Sequence, residues 1–287
     1  MKILFAIAHY YHPTPGGRYG SQSAKPQRRL QALAACISAV HQVLGGRQRI
    51  LDIARRLAVP ANQSLSHQVD VVVATTGDRH LLGQLPVAVD LYRQHATQAE
   101  PLLLGFECQA VLRDALGQYD YYCYLEDDLV LHDPWFFQKL AWFDRLAPAD
   151  CLLQPCRYEM PAYVVAHKLY VDGDLAPHVA GRFRRQPAPG DVEGETLGAS
   201  VQFSPALNPH SGCYFLNDRQ MRQWASQPHF LDRDTSFVGP LESAATLGIL
   251  KTFHVYKPVA GQAGFLEIEH FGTQFLSLVG NQVRLAD

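Results

Sequence analysis

The chain has 287 residues, 47% of them apolar and 18% charged, with a formal net charge of -2. That length and balance allow one large α/β domain or two small ones with a sizeable core, and exclude disorder of the whole chain. Near-neutrality leaves no protein-wide field to recruit nucleic acid or another polyanion.

In chain order, Ile3 to Ala8 is a continuous apolar run, as expected of a buried parallel strand. A loop rich in His, Tyr, Pro and Gly follows, from His9 to Ser23. Pro26 then opens a helical pattern (Leu30, Leu33, Ile37, Val40, Leu44) that stops at Gly45-Gly46. Val69 to Ala74 reads as a second strand, closed by the polar turn Thr75 to Asp78. Pro101 to Phe106 reads as a third strand, Cys108 to Gly117 as a short helix, and Tyr119 to Leu125 as a fourth strand. Leu152 to Pro155 and Tyr163 to Ala166 suggest two more strands. Gly181 to Gly198 reads as a long surface loop. Asn208 to Leu216 is a loop entering a strand, Asp218 to Trp224 and Glu242 to Leu250 are helices, and Phe253 to Tyr256 and Phe265 to Ile268 are strands. Strand and helix in alternation predict a mainly parallel sheet covered on both faces, within one domain. No apolar stretch approaches the ~20 residues of a membrane span. The expected location is the cytoplasm, with peripheral membrane association left open.

The cysteines are Cys36, Cys108, Cys123, Cys151, Cys156 and Cys213. They form no C-x-x-C pair and no zinc spacing, and read as buried thiols rather than a disulfide framework.

The strongest local feature is Glu126-Asp127-Asp128 at the end of the fourth strand, where ligands bind in open parallel sheets. Three consecutive carboxylates repel one another and resist burial. A divalent cation resolves that, because hard oxygen donors suit Mg²⁺ or Mn²⁺ shared with substrate phosphates. A solvated acidic turn is the plainer alternative.

The strand running into Glu126-Asp127-Asp128 resembles the D-x-D motif of GT-A glycosyltransferases, in its E-D-D form. The resemblance implies a Rossmann-like α/β/α sandwich of GT-A type spanning 1–287, with a nucleotide-binding half over 1–130 and an acceptor-binding half over 131–287. It implies a nucleotide-sugar donor (UDP- or GDP-linked), a glycan, lipid-linked or small-molecule acceptor, and Mn²⁺ or Mg²⁺. Asp128 becomes the main metal ligand, and Glu126 and Asp127 the donor contacts. Arg113 is directed at the nucleotide. His9 and Tyr10, with Thr75 and Asp78, face the base and ribose. Asn208 to Tyr214 resembles the loop whose glycine, here Gly212, lets the backbone approach the donor sugar. Glu242, opening a late helix, becomes the general base of an inverting transfer, with Asp232 and Asp234 in reserve. Val255-Tyr256-Lys257-Pro258 resembles the family's Tyr-x-Pro strand, after which His270, or alternatively His254, binds the metal.

Each of these residues also has a simpler use. Arg113 can face solvent, Glu242 can favour a helix N-terminus, and His270 can be a hydrogen-bonded core residue. Met1 to Phe5 running into His9 to Pro13 and Gly16-Gly17 resembles the opening of the metal-independent GT-B class. Gly16-Gly17-Arg18 echoes the phosphate loop of nucleotidyltransferases. A non-catalytic sugar-binding module is a further alternative.

Overall fold

In the computed structural model, residues 1–16, 19–160, 167–187 and 189–285 are described. The expected strand over Tyr163 to Ala166 lies outside them, as do Gly17 and Arg18.

Strand β1 (Lys2–Ala8) is followed by α1 (Gln27–Leu44), a small hairpin of β2 (Arg49–Asp52) and β3 (Leu57–Pro60), and then β4 (Gln68–Thr76). Next come β5 (Arg93–Thr97), α2 (Leu104–Asp114), β6 (Tyr121–Glu126), β7 (Leu129–Val130) and α3 (Phe136–Leu146). The central sheet has the order β13-β6-β1-β4-β5, where β13 is Cys213–Asn217. β1, β4, β5 and β6 run parallel, and β13 alone is antiparallel to its neighbour.

Successive side chains on a strand point to opposite faces, and β1 shows what covers each. Ile3, Phe5 and Ile7 pack with Leu33, Cys36, Ile37 and Val40 of α1 and Phe136, Phe137, Leu140 and Phe143 of α3. Leu4 and Ala6 pack with Leu104, Cys108 and Leu112 of α2, and with residues of α5 (Asp218–Ala225) and α6 (Pro240–Thr252). Each such aliphatic side chain contributes roughly 1.5–3 kcal/mol on burial. The chain is therefore a Rossmann-like α/β/α sandwich with a mainly parallel sheet, as the alternation predicts.

The expected third strand over Pro101 to Phe106 is instead a 3₁₀ turn, Pro101–Leu103, leading into α2. A short apolar run does not distinguish a strand from a buried helical segment. Leu104, Cys108 and Leu112, spaced four apart, are its buried stripe. The third parallel strand is β5, whose sequence Arg-Gln-His-Ala-Thr carries no apolar signal because it lies at the sheet edge.

The second half adds β8 (Cys151–Leu153), β9 (Cys156–Glu159), β10 (Leu169–Tyr170), the short α4 (Pro177–Gly181), β11 (Val192–Thr196) and β12 (Ala199–Pro205). After α6 come β14 (His254–Pro258) and β15 (Glu267–His270). The last part of the expected 181–198 loop, from Val192, is thus a strand and a turn. β11 and β12 form a hairpin turned at Leu197 and Gly198, both with positive φ, as a two-residue turn requires. Two four-stranded sheets result, β10-β9-β15-β7 and β11-β12-β14-β8. In the first, β15 pairs antiparallel with β7, His270 opposite Leu129, and parallel with β9. That pairing carries a late segment of the chain to the acidic triplet.

Candidate active site

Glu126 ends β6, and Asp127 and Asp128 form the turn into β7. They lie at the carboxyl edge of the sheet, as expected. The three acids have different surroundings. Asp127 is fully buried: Oδ2 is 2.5 Å from His9 Nδ1, and Oδ1 meets the Arg29 guanidinium. His9 Nε2 accepts from the Leu81 amide at 3.1 Å. The ring proton therefore sits on Nδ1 and is donated to Asp127. His9 and Asp127, expected as donor contacts, are a buried pair that ties β1 to the triplet.

Asp128 is half-buried. Its Oδ2 accepts from Arg29 at 3.0 Å and lies 3.9 Å from His270 Nε2, while its buried Oδ1 has no hydrogen-bond partner. Burial alone would raise this carboxyl, but the charges of Arg29, His270 and Arg157 outweigh it and hold Asp128 below the usual range. His270 is positioned from behind. Its Nδ1 is 2.9 Å from Glu159 Oε1, and Glu159 also accepts from the Phe275 and Leu276 amides. A carboxylate gripping one ring nitrogen fixes the orientation of the other. Burial pulls His270 down, yet the Glu159 hydrogen bond and the Asp128 charge leave it raised overall.

Glu126 is half-buried and raised above the carboxylate range, first by burial. Arg157, with Nη1 3.8 Å away, opposes the rise, and Asp128 and Glu242 add to it. Gly212 packs on Glu126: its φ is +61°, and an added Cβ would collide with the Glu126 carboxylate. The glycine thus admits Glu126 itself, a different use from the expected approach to a sugar. Glu242 stands in the first turn of α6.

The loops after β1 and β4 form one wall beside the triplet, joined by Tyr11 N–H to Arg79 O at 2.9 Å. In that region Tyr10 is half-buried against the α2-side core. Thr75 is buried and accepts from Gln94 at 2.8 Å, and Asp78 is exposed. Arg113 does not join the site. It sits in the last turn of α2, paired with Asp114 at 2.7 Å. The next turn, at Ala115, accepts a hydrogen bond from Tyr122 at the start of β6, the opposite edge of the sheet. His254 lies 3.7 Å from Asp150, and Asp232 and Asp234 hold Lys251, so none of these three meets the triplet's partners.

Arg29 and Arg157 are the cations that sequence reasoning missed. Arg29 had one signal: Arg28 and Arg29 occupy the first turn of α1, where the helix dipole disfavours cations. A basic pair there points to acids facing it. Arg157 had none, since its partner Asp172 is bound through folding alone, at 2.9 Å.

The donor set fits a divalent cation. Asp128 offers an unpaired buried oxygen, His270 turns an imidazole nitrogen towards the same carboxylate, and Glu126, raised first by burial and then by the Asp128 and Glu242 charges, stands beside them. Among the described residues no group of three His, Cys, Asp or Glu side chains converges as a closed metal cage. An ion here would need phosphate or water oxygens to complete its shell, as Mg²⁺ commonly does.

No protein-family model and no curated protein matches the chain. Among solved structures it is similar to the crystal structure of mannose-1-phosphate geranyltransferase from Thermus thermophilus. The identity is 12%, the TM-score 0.40, and the match covers 90% of this chain and 73% of that one. A likeness that low supports no step of the chemistry, which rests on the site alone.

Proposed function

We propose that the chain is a metal-dependent glycosyltransferase of GT-A type, which moves a sugar from a nucleotide-sugar to an acceptor hydroxyl with inversion. The observation that carries this reading is Asp128: at the carboxyl edge of a parallel sheet it keeps one buried oxygen, Oδ1, unpaired, while its other oxygen, Oδ2, lies 3.9 Å from the Glu159-anchored His270. Asp128 and His270 would hold the cation, Mn²⁺ or Mg²⁺. Bound there, it would neutralise charge on the departing nucleoside diphosphate. Asp127, locked by His9 and Arg29, fixes the backbone from which Asp128 projects. The wall formed by Tyr10 and Asp78 bounds the nucleotide. Glu242 accepts the proton of the acceptor hydroxyl, and its charge already acts on Glu126 across the site.

The test is thermal unfolding with UDP, GDP, CMP, ADP and dTDP, each in Mn²⁺ and in EDTA. At a hundredfold excess over Kd a ligand stabilises by about 2.7 kcal/mol, a rise of about 4–5 °C at this size. One diphosphate should act only with Mn²⁺, and Asp128→Asn should abolish the shift. Equal stabilisation in EDTA would replace this reading with a metal-independent transferase. No response to any nucleotide would leave a sugar-binding module.

A further inference from the structure

The β2–β3 hairpin belongs to neither the central sheet nor its two smaller companions. Arg49 pairs with Pro60, Ile50 with Val59, Leu51 with Ala58 and Asp52 with Leu57. Its base is clamped. The Gln48 side chain donates to the carbonyls of Gln42, Val43 and Gly45 at the end of α1, at 3.1–3.3 Å, and accepts from Asn62 at 2.7 Å. The tip is free of the body: Ile50 is 60% exposed, Leu51 71%, Ile53 77% and Leu57 53%.

Those numbers constrain the partner. Ile50 and Leu51 are adjacent on one strand and so point to opposite faces, yet both are exposed. A flat protein surface could cover one face only. A lipid phase surrounds an inserted tip on all sides. Charge agrees. Arg47, Arg49, Arg55 and Arg56 crowd the hairpin, opposed by Asp52, 3.5 Å from Arg55, and Asp90, 3.1 Å from Arg47. Asp90 adjoins Val89, itself 83% exposed. Aliphatic side chains ringed by arginines match the boundary between acyl chains and anionic headgroups.

We propose that the Arg49–Pro60 hairpin inserts its tip into the surface of an anionic lipid bilayer. The inference is independent of the catalytic reading. Arg29, in the first turn of α1, meets the triplet, and the hairpin follows the other end of that 18-residue helix, about 22 Å along its axis from Arg29 to Leu44. The contact anchors the molecule without occluding the site.

The full chain should sediment with vesicles of phosphatidylcholine mixed equally with phosphatidylglycerol, less so as salt rises, and not with phosphatidylcholine alone. Arg49→Gln and Arg56→Gln should each weaken binding about fivefold, the worth of one cation near such a surface. Leu51→Ser with Ile53→Ser should abolish it at an unchanged melting temperature. Failure to sediment with anionic vesicles, or sedimentation that neither set of substitutions alters, would overturn the proposal. So would a dimer in sedimentation velocity that disperses on the Leu51→Ser, Ile53→Ser change, since a second copy would then be the occupant.

Discussion

Arg29 reaches both Asp127 and Asp128 from the first turn of α1, so one guanidinium offsets two neighbouring carboxylates. Removing a partner from a partly buried ion group costs about 3–5 kcal/mol, because the remaining charge is uncompensated. Arg29→Ala should therefore lower the melting temperature in EDTA. Mn²⁺ should then stabilise the variant more than it does the parent, since the ion can replace the lost charge. Equal Mn²⁺ shifts in both proteins would mean that the acids do not serve a cation. The sequence revealed the acids but not their counter-ions. Three carboxylates in a row at a strand end are conspicuous, whereas Arg157 and Glu159 are single residues of a short strand whose partners lie elsewhere in the chain. His9 illustrates the same limit. Its place after β1 was legible, but its buried bond to Asp127 depends on how the β1 and β6 ends meet.

At the level of elements, α2 and α6 approach closely at Gly105, where an added Cβ would lie 2.6 Å from the Ala244 Cβ. Alanine is the better helix former by about 1 kcal/mol, yet overpacking costs roughly 1–3 kcal/mol. Gly105→Ala should thus destabilise the protein in urea unfolding, whereas Gly83→Ala, which meets open space, should not. The elements that sequence pattern found are those whose burial is uniform or one-sided. β1, β4 and β6 each carry a continuous apolar run that is buried on both faces, and α1 repeats at helical spacing. Sequence pattern missed α3, although its buried stripe is one-sided, and the other elements it missed follow other rules. β5 is a polar edge strand, the β11–β12 turn uses Leu197 at positive φ where Asn or Asp would have announced it, and β2–β3 buries almost nothing.

Across the whole molecule, Asp172 joins β9 to β14, meeting Arg157 at 2.9 Å and Lys257 at 3.0 Å with its side chain almost wholly withdrawn from water. Burial would raise its carboxyl, but the Lys257 and Arg157 charges and the Arg157 amide hold it down at about 2. A depressed carboxyl stabilises above its unfolded value and loses that contribution as pH falls through the folded one. Stability worth about 2 kcal/mol should therefore drain away between about pH 4 and 2. Asp172→Asn should be less stable than the parent at neutral pH, by about 3 kcal/mol or more, and the gap should narrow towards pH 2 in urea titrations. A constant gap would remove Asp172 from the acid response.

The pairing of β15 with β7 also orders events in time. A chain made from its N-terminus completes the triplet long before it completes the strand that carries His270. Bringing such distant segments together is slow, because the entropy of closing the loop is lost before the pairing repays it. A central sheet that has already collapsed would hold Asp128 without its imidazole, a core in place around an unfinished site. On the proposed role of His270, competence is then among the last properties the molecule acquires, and a nascent or partly refolded chain would be stable before it was able.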